Sequence, residues 1–161
     1  IVNSTVSENA RGGIWNIGLP NAMATVVSST VSENTGDNIA NLGGEAVLAF
    51  TNSVVAGGCT IVDAATTNGY NIESPGDTCD FDQPTDQVSV SADDLKLGPL
   101  QDNGGPTMTH ALGDGSVAID VIPAEECVDA GGAPLTTDQR AVARPQGSAC
   151  DAGAVEMEVT P

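Results

Sequence analysis

The chain has 161 residues, 22 of them acidic and 4 basic, for a net charge of −18. That balance excludes nucleic acid as a partner and argues against direct contact with an anionic membrane, because the phosphate term would be repulsive. Aromatic residues are reduced to Trp15, Phe50, Tyr70 and Phe81, so a core must be filled by Val, Ile, Leu and Ala, which suits a narrow coil better than a sandwich.

A short phrase recurs near the start. Val2-Asn-Ser-Thr-Val-Ser-Glu-Asn9 returns as Val27-Ser-Ser-Thr-Val-Ser-Glu-Asn34 and more loosely as Thr51-Asn-Ser-Val-Val-Ala-Gly-Gly58, a period of 25 and then 24 residues. Each copy is short, β-branched and alternating, which is strand behaviour. A repeat of this length implies units that bury their apolar faces by stacking on neighbours. The expected fold is all-β: a right-handed parallel β-helix. Thr5, Thr30 and Val54, and beside them Val6, Val31 and Val55, should stack at about 4.8 Å. Asn3, Ser28 and Asn52 should form a polar ladder at one corner, satisfying turn backbone. Ile14/Ile39 and Ile17/Leu42 keep the 25-residue spacing.

Residues 1–90 are expected to supply the coils. The first turns at Arg11-Gly-Gly13 and Gly18-Leu-Pro20, the second at Asn34-Thr-Gly-Asp37 and Leu42-Gly-Gly44. The third ends at Gly58 and makes an excursion through Cys59 to a fourth strand at Gly69-Tyr-Asn-Ile72. A polar loop follows at residues 77–84, then a strand at Gln87-Val-Ser-Val-Ser91. Residues 91–161 read as a capping section leading to a linker or anchor absent here. Within it lie Asp93-Asp-Leu-Lys-Leu97, turns at Gly98-Pro99 and residues 102–106, an alternating run Thr107–Leu112 with Met108, His110 and Leu112 on one face, and a strand over Val117–Ile122. Little helix is expected.

Cysteines fall as Cys59/Cys79 and Cys127/Cys150, with no C-x-x-C and no Cys/His cluster. Two disulfides in an oxidising, extracellular setting follow. Of the three connectivities, the two local pairs are favoured, because each encloses one excursion; the first loop would contribute about 3 kcal/mol.

Candidate chemistry is sparse. Asp77, Asp80, Asp82 and Asp86 share a loop and are a weak candidate for Ca²⁺, though their spacing fits neither an EF-hand nor the nonapeptide Ca²⁺ repeat. Adjacent acids Asp93/Asp94 and Glu125/Glu126 would point apart in strands, while Glu8 and Glu33 read as a solvated face. His110, the sole histidine, reads as structural, and no G-x-S-x-G elbow accompanies it. Gly113-Asp-Gly-Ser-Val-Ala118 matches a dinucleotide fingerprint but opens no helix. Asn3-Ser-Thr5 is a formal glycosylation sequon. Arg140 and Arg144, two of the four cations, are expected to stitch the capping loops through Asp120, Asp138, Asp151 and Glu156. No catalytic residue and no cofactor is assigned.

The C-terminal third carries a resemblance. Leu97-Gly-Pro-Leu-Gln-Asp-Asn-Gly-Gly-Pro-Thr-Met-Thr-His-Ala-Leu112 is followed by Gly115-Ser-Val-Ala-Ile-Asp120, Asp138-Gln-Arg140, Arg144-Pro145 and Cys150-Asp-Ala-Gly-Ala-Val-Glu156. This ordered run resembles the choice-of-anchor Q domain of bacterial surface proteins, which sits on pectin-lyase-like parallel β-helices. Val117 stands where that family usually has Pro, and Ala141 where it usually has Gly. The resemblance implies an exported, surface-displayed protein.

The function expected is therefore a non-catalytic structural or display module at the cell surface, a subunit of a surface assembly or filament. The alternative is a carbohydrate-active or carbohydrate-binding, adhesin-like β-helix, against which the isolation of Trp15 and Tyr70 speaks; a glycan partner belongs to that alternative. Because Ile1 already lies in the strand phrase with no leader before it, the chain reads as a processed piece, and the edge Ile1–Asn9 is expected to pair with a strand outside this chain, self-assembly being one version.

Overall fold

A computed structural model describes residues 1–18, 22–43, 46–62 and 64–158. The expected turns at Gly18-Leu-Pro20 and Leu42-Gly-Gly44 run partly outside the described residues, and Thr160-Pro161, where the expected linker would start, lie wholly outside them. The chain is all-β with stacked parallel strands: β1 (Thr5–Ser7), β2 (Ile14–Ile17), β3 (Met23–Val27), β4 (Thr30–Ser32), β5 (Ile39–Leu42), β6 (Val47–Thr51), β7 (Val54–Ala56), β8 (Cys59–Ile61), β9 (Ala65–Thr67) and β10 (Ile72–Ser74). Three sheets take these strands in rotation, in the orders β1-β4-β7-β10, β2-β5-β8 and β3-β6-β9. Every pair in them is parallel, with Thr5 opposite Thr30 and Thr30 opposite Val54, Ile14 opposite Ile39 and Met23 opposite Val47.

Two corners explain how so short a strand can turn at a fixed place. Asn3, Ser28, Asn52 and Tyr70 all take left-handed backbone, with φ of 53°, 44°, 56° and 58°. Glu8, Glu33 and Gly57 do the same at the far end of the same sheet, with φ of 56°, 54° and 132°. Left-handed residues repeated at one register bend each circuit at the same angle, so side chains stay in columns. The column Val6, Val31, Val55 faces the interior with Ile14, Val26, Ile39, Leu48 and Phe50. Its neighbour Thr5, Thr30, Val54, Ile72 faces the opposite way.

That outward face is where the C-terminal section lies. A second core joins Val54 and Ile72 to Leu95, Leu112, Ala118, Ile122, Ala152, Ala154 and Val155. Residues 92–158 thus cover the flank of the first sheet from β1 to β10, whereas the sequence places them as a cap on the end. Residues 77–90 take the end instead. Gln87 bridges Ile72 in parallel, the Glu73 N–H donates to the Gln87 carbonyl at 2.8 Å and that of Gln87 to Asn71 at 2.8 Å. Phe81 meets Phe50 edge-on, with ring centroids 5.0 Å apart.

Other expectations also change. The excursion after Gly58 is two ladder strands, β8 and β9. The fourth strand begins only at Ile72. Gln87–Ser91 forms one bridge rather than a strand: Gln87 and Val90 both bond to Glu73 of β10, but Ser89 between them takes left-handed backbone, with φ of 54°. Asp93–Leu97 is split between α1 (Ala92–Leu95), capped by Ser91 Oγ accepting from the Asp94 N–H, and β11 (Leu97–Gln101), which runs through the expected turn at Gly98-Pro99. β11 pairs antiparallel with β12 (Thr109–Leu112). Val117–Ile122 is a turn with a single bridge from Ile122 to Cys150. On the face expected for Met108, His110 and Leu112, the last two are buried while Met108 is exposed.

Candidate functional site

Polar ladders run through the stack, one residue away from where the sequence puts them. The N–H of Ser4 donates to Ser29 Oγ at 3.2 Å, that of Ser29 to Ser53 Oγ at 3.3 Å, and that of Ser53 to Asn71 Oδ1 at 3.1 Å. Their hydroxyls bond back to the carbonyls of Val2, Val27 and Thr51. The expected ladder Asn3, Ser28, Asn52 sits at the adjacent left-handed position, where side chains point out to the cover. Asn3 Nδ2 donates to the Thr137 carbonyl at 3.0 Å and Asn52 Nδ2 to that of Glu126 at 2.8 Å. The signal for the true ladder was present, since Ser4, Ser29 and Ser53 are identical in all three copies of the phrase. Further ladders join Asn9 Nδ2 to Asn34 Oδ1 at 2.8 Å and Asn16 Nδ2 to Asn41 Oδ1 at 2.9 Å.

The cover is fastened by charged groups. Arg140 forks onto Asp138 Oδ2 through Nε at 2.9 Å and Nη2 at 2.8 Å. The other Asp138 oxygen accepts from the N–H groups of Arg140 and Val142. Arg144, its side chain wholly buried, pairs with Glu156 Oε1 at 2.7 Å and donates to the carbonyls of Asp151 and Gly153. Burial lowers the Arg144 pKa from its ordinary value, against the pull of Glu156. Burial also pushes Glu156 up to about 7 despite the guanidinium beside it, and raises Asp151. Two of the expected ion-pair acids do not pair with arginine side chains. Asp151 accepts the N–H of Asp120 at 2.8 Å, and Asp120 accepts that of Ala149 at 2.9 Å. The backbone reaches these carboxylates first, because tight turns aim N–H groups at them.

His110 clasps the cover to β1. Nδ1 lies 2.7 Å from the Gly98 carbonyl, which requires a proton on Nδ1, so Nε2 accepts from Ser7 Oγ at 2.9 Å. This is a serine–histidine contact, but the imidazole is only 1% exposed and its second nitrogen meets a neutral carbonyl rather than a carboxylate. The pair holds two elements together.

In the acidic loop, Asp86 is spent on structure. Oδ1 accepts the N–H of Asn71 at 2.8 Å and Oδ2 the Thr67 hydroxyl at 2.8 Å. Asp82 Oδ1 accepts from Gln83 Nε2 at 3.0 Å, and Asp77 and Asp80 are exposed. Among the described residues no three acidic, histidine or cysteine side chains come together to hold a metal ion, so the Ca²⁺ candidate has no converging ligand set. Sequence reasoning missed Glu73. It follows Val55 in the interior column, fully buried, and its carboxylate accepts from the N–H of Thr78 at 2.8 Å and of Cys79 at 3.0 Å. Cys59 is bonded to Cys79 and Cys127 to Cys150; the first bond ties the end plug to β8, the second ties two loops of the cover.

A cleft of about 280 Å³ beside the cover is lined by Asp114, Ile119, Asp120, Asp151 and Glu158 among others. A smaller one of about 160 Å³ separates Ser32, Ala56 and Ser74 from Leu95 and Gly98. Among the described residues no helix is long and apolar enough to cross a membrane. Compared with models of protein families, with curated proteins and with solved structures, the chain matches none of them.

Proposed function

We propose that the chain is a right-handed parallel β-helix serving as a non-catalytic extracellular module that displays or spaces material at a cell surface, as its resemblance to the choice-of-anchor Q domain implies. One observation carries this reading: the buried groups that chemistry would use are committed to fastening the cover and the end plug. His110 holds Ser7, Arg140 holds Asp138, Arg144 holds Glu156, and Glu73 and Asp86 hold the plug. Groups buried and hydrogen-bonded in this way serve as anchors rather than as general acids or bases. The two disulfides fit an oxidising compartment.

The test is direct. The folded, oxidised chain, incubated with neutral and acidic polysaccharides, should release no reducing ends and no unsaturated uronate, and should bind no glycan on an array. Cleavage of any of them would overturn the reading, and selective binding would move it to the carbohydrate-binding alternative.

A further inference from the structure

The outward side of the first sheet carries a second column beside Thr5, Thr30, Val54 and Ile72. Ser7 stands opposite Ser32, Ser32 opposite Ala56 and Ala56 opposite Ser74. Strand alternation turns these four toward the cover, because Val6, Val31, Val55 and Glu73 beside them face the interior. At the first of the four the cover supplies a partner: Ser7 Oγ donates to His110 Nε2 at 2.9 Å. At Ser32 and Ser74 it does not. Each is only 3% exposed, yet neither hydroxyl hydrogen-bonds to a described residue. Both instead line the cleft of about 160 Å³ between the sheet and the cover.

A buried hydroxyl without a partner costs free energy that the polar group of a ligand would recover. The other surfaces of the cleft define the rest of that ligand. Ala56 lies between the two serines on the floor, and Leu95 and Leu97 stand on the wall, so the middle of the cleft is apolar. Its rim carries one charge, the Glu33 carboxylate, which is exposed and forms no ion pair among the described residues. Glu8 holds the equivalent left-handed corner one strand away and adds to the negative potential there. Lys96, between the two wall leucines in sequence, turns away and donates to the Asp114 carbonyl at 2.8 Å. An anion is therefore repelled and an ammonium drawn in.

Ser32 and Ser74 sit two strand spacings apart, about 10 Å. A chain of about five carbons reaches from one to the other when each end hydrogen-bonds at about 2.8 Å.

We propose that this cleft binds a linear primary alkylamine with a hydrogen-bonding group at its far end. The ammonium sits between Glu33 and Ser32 Oγ, the methylenes lie over Ala56 against Leu95 and Leu97, and the far group bonds to Ser74 Oγ. A free amino alcohol offers this chemistry, and so does a lysyl side chain, whose far group is its own main-chain amide. The site goes beyond the display role and does not depend on it.

The experiment titrates the folded, oxidised chain with 5-aminopentanol and follows backbone amide NMR shifts. The shifts should saturate and centre on Ser32, Ala56, Ser74, Leu95 and Leu97. Pentylamine has the same charge, so general attraction to a chain of net charge −18 cancels in the comparison. It should bind about fivefold more weakly, which is what one hydrogen bond contributes. Pentanediol, which lacks the charge, should bind at least about tenfold more weakly than the amino alcohol. Ser74→Ala should abolish the difference between amino alcohol and pentylamine, and the column already accommodates alanine at Ala56. Glu33→Gln should abolish the preference for either amine over the diol. Nα-acetyl-lysine methylamide reads the source: tighter binding than the amino alcohol assigns the cleft to a lysyl side chain, weaker binding to a free amine. Shifts scattered over the surface carboxylates, or equal affinity of the parent chain for amino alcohol and pentylamine, would overturn the proposal. Neither result bears on the polysaccharide test of the non-catalytic reading.

Discussion

Gly153 rests against Thr30 so closely that a Cβ on it would stand 2.7 Å from the Thr30 hydroxyl and 3.2 Å from a Val54 methyl. The same approach lets the Ala154 N–H donate to Thr30 Oγ1 at 3.0 Å. With φ at 97°, the position is closed to a side chain on two grounds. Gly153→Ala should cost about 3 kcal/mol, combining left-handed strain with overpacking, and should lift the cover from the sheet. Urea unfolding monitors the first, and faster exchange in β12 the second. A loss under about 0.5 kcal/mol would mean that the cover is not seated through this glycine.

Ala141 shows the opposite mismatch. It closes a tight turn in which the Asp138 N–H donates to the Val142 carbonyl at 2.7 Å and the Ala141 N–H to that of Asp138 at 3.0 Å. Its φ is 69°, the left-handed position of a bulged hairpin that glycine suits best. Ala141→Gly should stabilise the fold by about 1 kcal/mol, read as a higher urea midpoint at constant slope. A lower midpoint would show that the Ala141 methyl has packing value that outweighs the strain.

The sequence reached the stacked strands because the phrase keeps its spacing while the corners keep their length. Ile14 lies 25 residues before its partner Ile39, but Ile39 pairs with Cys59 only 20 residues on, and Leu48 with Ala65 only 17 on. Once the corners shorten, the period no longer marks the strands, so β8 and β9 read as an excursion. The lateral seat of residues 92–158 was hidden for a different reason. Thr5, Thr30 and Val54 are a mixed column that suits solvent or a polar cover alike, and their partners Gln139, Ala154 and Gly153 lie more than 90 residues away. Charge alone could pair Arg140 and Arg144 with any nearby acid. Backbone N–H groups then decided that Asp120 and Asp151 serve turns instead.

The cover should respond to pH through Glu156. Its pKa of about 7 lies above the roughly 4.3 of an unfolded Glu, so the folded chain holds the extra proton between those values. Stability from this group is full below about pH 4.3 and is lost as pH rises through about 7. Asp151, raised by burial, acts in the same direction. Relief of self-repulsion in a chain of net charge −18 adds to the trend. The melting temperature should therefore climb as pH falls from about 8 to about 5.5, and Glu156→Gln should flatten the climb. A melting temperature that rises with pH across that window would contradict the assignment.

Arg140 tests the fastening at its other end. The Arg140 and Asp138 side chains are 8% and 0% exposed, so Arg140→Ala leaves a buried carboxylate without its cation, at a cost of about 3 kcal/mol. Arg140→Lys should recover only part, because an ammonium cannot reproduce the fork of Nε and Nη2 onto one oxygen. An alanine variant that melts like the parent chain would show that the backbone donors alone satisfy Asp138.

Glu73 is the point where the interior column stops being apolar. Above it Val6, Val31 and Val55 stack as valines; at Glu73 the column presents a carboxylate to the Thr78 and Cys79 N–H groups and to the Thr78 hydroxyl at 2.7 Å. A valine there would extend the hydrophobic column, yet it would strand those donors in a buried turn beside the Cys59–Cys79 bond. The cost of unmade bonds to a charged acceptor is about 1.5–3 kcal/mol each, more than one buried methyl group returns at about 0.8 kcal/mol. Glu73→Val should therefore destabilise the end plug by about 3 kcal/mol or more, despite its better match to the column. Glu73→Gln, which keeps one acceptor oxygen, should lose about half as much. Hydrogen exchange at Thr78, Cys79 and Gln87 resolves the two, since the plug should open before the stack does. If Glu73→Val proves as stable as the parent chain, the plug is held by Phe81 and the disulfide, and the carboxylate is dispensable.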